Sequence, residues 1–150
     1  MGASGWRYVV SYQEDLAAAL DTLRRQVFAD GDFISPSEDG YPQPASVEDL
    51  LLDEYGYFMW TNGTHSILDV IEVVPAEDTD QQPGTVRPFT PDETRQVFGT
   101  VEPGHADYDR LADDLLFEKI GLPERWTARA VTLWADGKPA EIAFWGYSGD

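Results

Sequence analysis

Asp136-Gly137 stands between two runs rich in β-branched and aromatic residues, 127–135 and 138–147, and no other feature constrains the fold of this chain as tightly. Both central positions of a two-residue type I′ turn need positive φ, which Asp and Gly tolerate, so the end of the chain predicts an antiparallel hairpin. The turn also predicts a register. Val131 falls opposite Ile142 and Leu133 opposite Ala140, with Phe144 on the same apolar face. The other face then carries Thr132, Trp134, Glu141, Ala143, Trp145 and Tyr147.

Asn62-Gly63 repeats the signal between 57–61 and 64–74. A second hairpin there would set Thr61 opposite Thr64, Trp60 opposite His65 and Phe58 opposite Ile67. Ile67, Val70, Ile71 and Val74 also suit a helical stripe, but Ile71, Val73 and Val74 favour a strand. Residues 6–12 read as a first strand. The S-x-x-E pattern from Ser11 to Glu14 then predicts a capping box opening a helix, with Leu16, Leu20, Leu23 and Val27 on one stripe and Gly31 at its end. Further helices are expected over 46–56, from Thr90-Pro91-Asp92-Glu93 to Phe98 before Gly99, and over 105–120 with Tyr108, Leu111, Ala112 and Leu115 on one side. Segments 35–44, with three prolines from Pro36 to Pro44, and 75–88 read as surface loops. Together these elements predict an α+β fold. A single mainly antiparallel sheet of about five strands, the N-terminal strand plus two hairpins, carries helices packed on one side. Residues 1–150 form one domain, with no internal repeat.

Composition then limits function. With 28 Asp/Glu against 10 Lys/Arg, the chain has a formal net charge of −18. Such a surface repels nucleic-acid phosphates and anionic lipid while it speeds encounter with cationic partners. Hydrophobic residues at 42% and aromatic residues at 13% nonetheless predict a folded chain rather than a disordered acidic one. The acidity also has a plainer source. Asp outnumbers Glu 17 to 11 and Arg outnumbers Lys 8 to 2, a bias that a GC-rich genome or a salty cytoplasm imposes on many proteins at once. The absence of cysteine removes disulfides, thiolate nucleophiles and Cys-type zinc sites. The first residues lack the apolar core of a signal peptide and no stretch approaches a membrane span, so a cytoplasmic protein is expected.

No phosphate-binding loop, dinucleotide fingerprint or nucleophile elbow is present, and the chain reads as a binder more readily than as an enzyme. No cofactor is expected. The crowding of His105, Asp107 and Asp109 falls short of a metal motif, having no second histidine a turn away. Two surfaces are candidates for binding. The first is the expected helix over 105–120, where Asp107, Asp109, Asp113, Asp114 and Glu118 surround Phe117, an aromatic ringed by carboxylates suited to a basic partner. The second is an aromatic ligand site of Trp60, His65, Trp134, Glu141, Trp145 and Tyr147, with Asp69 near His65 in sequence and a pocket between the sheet and the loops at 35–45 and 75–90. Both sets have a competing explanation as ordinary core and solvated helix face. The first reading makes the protein a small acidic module that occludes a basic protein such as a toxin or nuclease, in the manner of an immunity protein, antitoxin or inhibitor. The second makes it a small-molecule-binding domain or modest enzyme.

Overall fold

A computed structural model describes residues 5–117 and 124–149, apart from the side chains of 114–117. Strand β1 (Gly5–Ser11) leads to helix α1 (Leu16–Asp30). Three short 3-10 turns, at Pro36–Asp39, Val47–Leu51 and Asp53–Tyr55, then precede helix α2 (Gly56–Thr61), and a fourth, Ile67–Asp69, follows it. Strands β2 (Glu72–Val73) and β3 (Thr85–Pro88) follow, then helices α3 (Pro91–Phe98) and α4 (His105–Phe117), and finally strands β4 (Thr127–Ala135) and β5 (Lys138–Tyr147). The five strands make one sheet in the order β1-β5-β4-β3-β2.

The sheet is mixed rather than mainly antiparallel. β1–β5 and β4–β5 are antiparallel, whereas β2–β3 and β3–β4 are parallel. β3 and β4 are parallel because α3 and α4 form the crossover between them, a βαβ unit hidden in sequence by the shortness of β3, while an irregular connection joins β2 to β3. Helices also cover both faces instead of one. Leu20, Leu23 and Val27 of α1 pack with Ala128, Ala130, Ile142 and Phe144. Phe98 of α3 and Tyr108 and Ala112 of α4 pack with Val131, Leu133, Ala143 and Trp145. Successive strand residues point to opposite faces, so central strands apolar at both alternations need two covering layers. Among the described residues no helix is long and apolar enough to cross a membrane.

The C-terminal hairpin forms on its expected turn, with φ of 53° at Asp136 and 72° at Gly137. Its register holds only at the tip, where Ala135 faces Lys138 and Trp134 faces Pro139. A bulge then shifts the pairing, so that Leu133 faces Glu141 and Val131 faces Ala143. The expected apolar face is thereby split. Val131 and Leu133 join the α3–α4 side, while Ile142 and Phe144 join the α1 side.

The expected first hairpin is absent. Residues 56–61 are helical, and the N–H groups of Asn62 and Gly63 both donate to the Phe58 carbonyl at 2.9 Å. Gly63 takes φ 69°, but Asn62 stays at φ −102°, so the pair ends a helix and does not turn a hairpin. The cross-strand pairs expected of Trp60, Phe58 and Thr61 therefore do not form. The expected 46–56 helix is likewise divided into two 3-10 turns by extended Leu52, and Gly56 starts α2 rather than ending a helix. α1 begins later than expected because Ser11 still pairs with Glu141 in the sheet; Asp15 caps it, accepting the Ala17 N–H at 3.0 Å. α3 follows its sequence signal fully, with a reciprocal Thr90–Glu93 capping box and Gly99 at its end.

Candidate functional site

The acids of α4 whose side chains are described, Asp107, Asp109 and Asp113, are engaged with groups of their own chain. Asp107 accepts the Gly104 N–H at 2.8 Å and lies 3.5 Å from Arg110. Asp109 lies 3.2 Å from Nε2 of His105, whose Nδ1 lies 2.8 Å from Glu141; these carboxylates, Glu141 foremost, raise the His105 pKa. Asp113 pairs with Arg7 of β1 at 3.0 Å. Of these contacts only Arg7–Asp113 and His105–Glu141 reach from α4 to the sheet, and both are solvent-accessible pairs that hold the helix only weakly. The side chains of Asp114 and Phe117 and the whole of Glu118 lie outside the described residues.

The sheet aromatics do not assemble into one exposed platform. Trp145 is core, edge-on to Phe89 at 5.1 Å between centroids and 5.9 Å from Tyr108. Trp134 lines an open groove of about 750 Å³ with Tyr12, Phe89 and Val101, at one end of the hairpin. Tyr147 is half-buried at the other end, and Glu141 holds His105.

Trp60 belongs to a different and more organised place. It is 66% exposed on α2, and its ring stacks on Trp126 with centroids 6.4 Å apart and planes within 9°. The two indoles border a cleft of about 240 Å³ that is also lined by Leu50, Leu51, Met59, Asp69 and Ile71. Leu51 and Ile71 are 57% and 51% exposed, unusual for side chains of that kind clustered on so acidic a molecule. Asp69 is only 7% exposed. Its Oδ1 accepts the Thr64 N–H at 2.7 Å and the Thr64 hydroxyl at 2.9 Å, whereas its buried Oδ2 has no hydrogen-bond partner among the described residues. Burial pushes the carboxyl up to about 6, against the lowering effects of the Thr64 hydrogen bonds and of His65.

Glycines build this corner. A Cβ on Gly63 would collide with the Trp126 ring and stand 2.9 Å from Asp69 Oδ2, and a Cβ on Gly149 would overlap the same indole. Trp126 is therefore wedged between two glycines, its ring beside the carboxylate. His65 and Trp126 also adopt φ of 55° and 65°, left-handed conformations that cost a non-glycine residue about 1–3 kcal/mol and that cluster where a site is held in a set geometry. From α1, Arg24 reaches the same region, but its Nη1 donates to the carbonyls of Leu68 and Val70 on either side of Asp69.

Of the residues expected at a site, the structure brings Trp60, His65 and Asp69 into one corner and leaves Trp134, Trp145 and Tyr147 elsewhere. Trp126 and Leu51 escaped the sequence reading because nothing in Arg125-Trp126 marks a ring that returns to a helix more than 60 positions earlier. A polar cavity of about 210 Å³ beside Arg87 and Arg129 is a weaker candidate. Arg129 is already committed to both Glu93 oxygens at 2.8 Å, and Asp80 and Glu124 share the rim. Among the described residues no group of three or more His, Asp or Glu side chains is placed to hold a metal ion. Comparison with protein-family models, with curated proteins and with solved structures finds no match to this chain.

Proposed function

We propose that this protein is a small acidic binding module that occludes a basic protein partner, as an immunity protein, antitoxin or inhibitor does. The observation that carries the reading is the exposed apolar corner around Trp60 on a chain of net charge −18. Tyr57, at 75% exposure, and Leu52 extend the same 51–60 segment. Large aromatic and aliphatic side chains left in water incur a hydrophobic cost that a partner removes, and surrounding carboxylates raise the encounter rate. Long-range charge would bring the partner in, and the Trp60 corner would bury against it. The acids of α4 supply steering, and Asp113, already paired with Arg7, contributes to the field without forming the anchor.

The test is capture of partners on the intact protein from its native cells at low and high salt, followed by kinetics with the purified candidate. A strongly basic protein should be retained, its association rate falling steeply with salt, and Trp60→Ala should speed its dissociation. Retention of no basic protein, or binding indifferent both to salt and to Trp60, overturns the reading. A small-ligand role is the second reading, favoured by the size and apolar lining of the groove beside Trp134. A metabolite that co-purifies and protects Trp134 from solvent would bring that reading forward.

A further inference from the structure

The cleft beside Trp60 has a chemistry more specific than apolar burial. Its walls are two near-parallel indoles and the side chains of Leu50, Met59 and Ile71, and the lining also includes the buried Asp69, one of whose carboxylate oxygens is unpartnered among the described residues. The groups facing that carboxylate are accounted for. Thr64 saturates Oδ1, the Arg24 guanidinium donates to backbone carbonyls, and His65 and Tyr8 stand near enough to feel its charge. An anion set in a poorly polarisable surrounding attracts a cation more strongly than an exposed one does, and an indole face attracts a cation through its own quadrupole. Both effects select the same kind of occupant.

We propose that the cleft receives an arginine side chain of the basic partner, its guanidinium stacked on the Trp60–Trp126 pair and held by the charge of the buried Asp69 in the same lining. The aliphatic lining suits a three-carbon stem. The flat indole wall suits a planar, weakly hydrated guanidinium better than a compact, strongly hydrated ammonium. Oδ2 itself is buried, so the attraction acts at a distance rather than through a direct contact. This inference rests on the proposed binding role and gives that role its anchor.

The experiment uses the intact protein, with its indole N–H resonances assigned, and titrates Nα-acetyl-arginine amide in parallel with the lysine analogue and with the neutral citrulline analogue. The arginine probe should shift the Trp60 and Trp126 signals saturably, the lysine probe more weakly and the citrulline probe not at all. Trp60→Ala, at an exposed position that the fold does not need, should weaken arginine binding about tenfold, and Asp69→Asn about fivefold. Because Trp60→Ala leaves net charge unchanged, it separates the cleft from general attraction to an acidic surface. Equal responses to arginine and citrulline, equal responses to arginine and lysine, or an affinity untouched by Trp60→Ala each overturn the proposal. Partner capture that survives loss of the arginine response sinks the cleft alone; an arginine response with no basic partner sinks the binding role alone.

Discussion

The β4–β5 hairpin and the stretch from α2 to β2 each contain an x-Gly dipeptide between apolar runs, yet they fold in opposite ways. At Asp136-Gly137 both residues take positive φ and two strands leave the turn paired, their register shifting only at the bulge between Leu133 and Trp134. At Asn62-Gly63 only the glycine does, and the chain leaves a helix for a 3-10 turn. The dipeptide guarantees one left-handed residue; burial decides what surrounds it. Ile67 and Leu68 are adjacent and both fully buried, a pattern no strand with one wet face can satisfy. The hairpin ends with its polar groups in a ladder. The other stretch ends with a carboxylate oxygen unpartnered and a strained histidine, and those are the marks of the candidate site.

The largest effect is expected at Trp145, in the hairpin's fully buried layer, where Trp145→Ala should cost about 3–5 kcal/mol in urea or thermal unfolding. A loss below about 1 kcal/mol would mean that the α3–α4 layer is not packed as described.

Next comes Asp69, whose carboxyl is raised by burial to about 6 from 3.8. The folded state then binds the proton more tightly than the unfolded chain, so this contribution is fully present below the unfolded value and is lost as pH rises through about 6. Relative to Asp69→Asn, the native protein should lose about 3 kcal/mol of stability between pH 3 and pH 7. A flat difference between the two pH profiles would place the carboxyl in water.

Gly63→Ala should cost about 2 kcal/mol, through the left-handed backbone and the collision with Trp126, and should perturb the Trp60–Trp126 stack in near-ultraviolet circular dichroism. Gly137→Ala tests the hairpin by the same backbone mechanism but without a steric neighbour, so its loss should be smaller, about 1 kcal/mol. The least is expected at Asp113→Asn, below about 1 kcal/mol, since both partners of the Arg7 pair are exposed.

What the sequence made legible follows the same division. α1, α3 and the β4–β5 turn were readable because each is specified locally, by a stripe, a capping box or a turn dipeptide. β3 was not, since its four residues sit in a polar stretch between a two-residue neighbour, β2, and β4, which lies far along the chain. The bulge that exchanges the hairpin faces leaves no composition signal. At the candidate site Trp60, His65 and Asp69 drew notice as residue types. Their meeting with Trp126 depends on the whole crossover from β3 to β4, which no local pattern encodes.

That crossover also sets an order of events. The hairpin closes through two residues, whereas β3 meets β4 only after residues 89–126 have been looped out, and long closures come late because their entropy is lost before any pairing repays it. Trp126 lies at the far end of that loop. The aromatic corner should thus be among the last parts of the molecule to acquire its shape, gaining amide protection after the hairpin in pulse-labelled refolding, and a newly made chain would be folded in its centre before that corner exists.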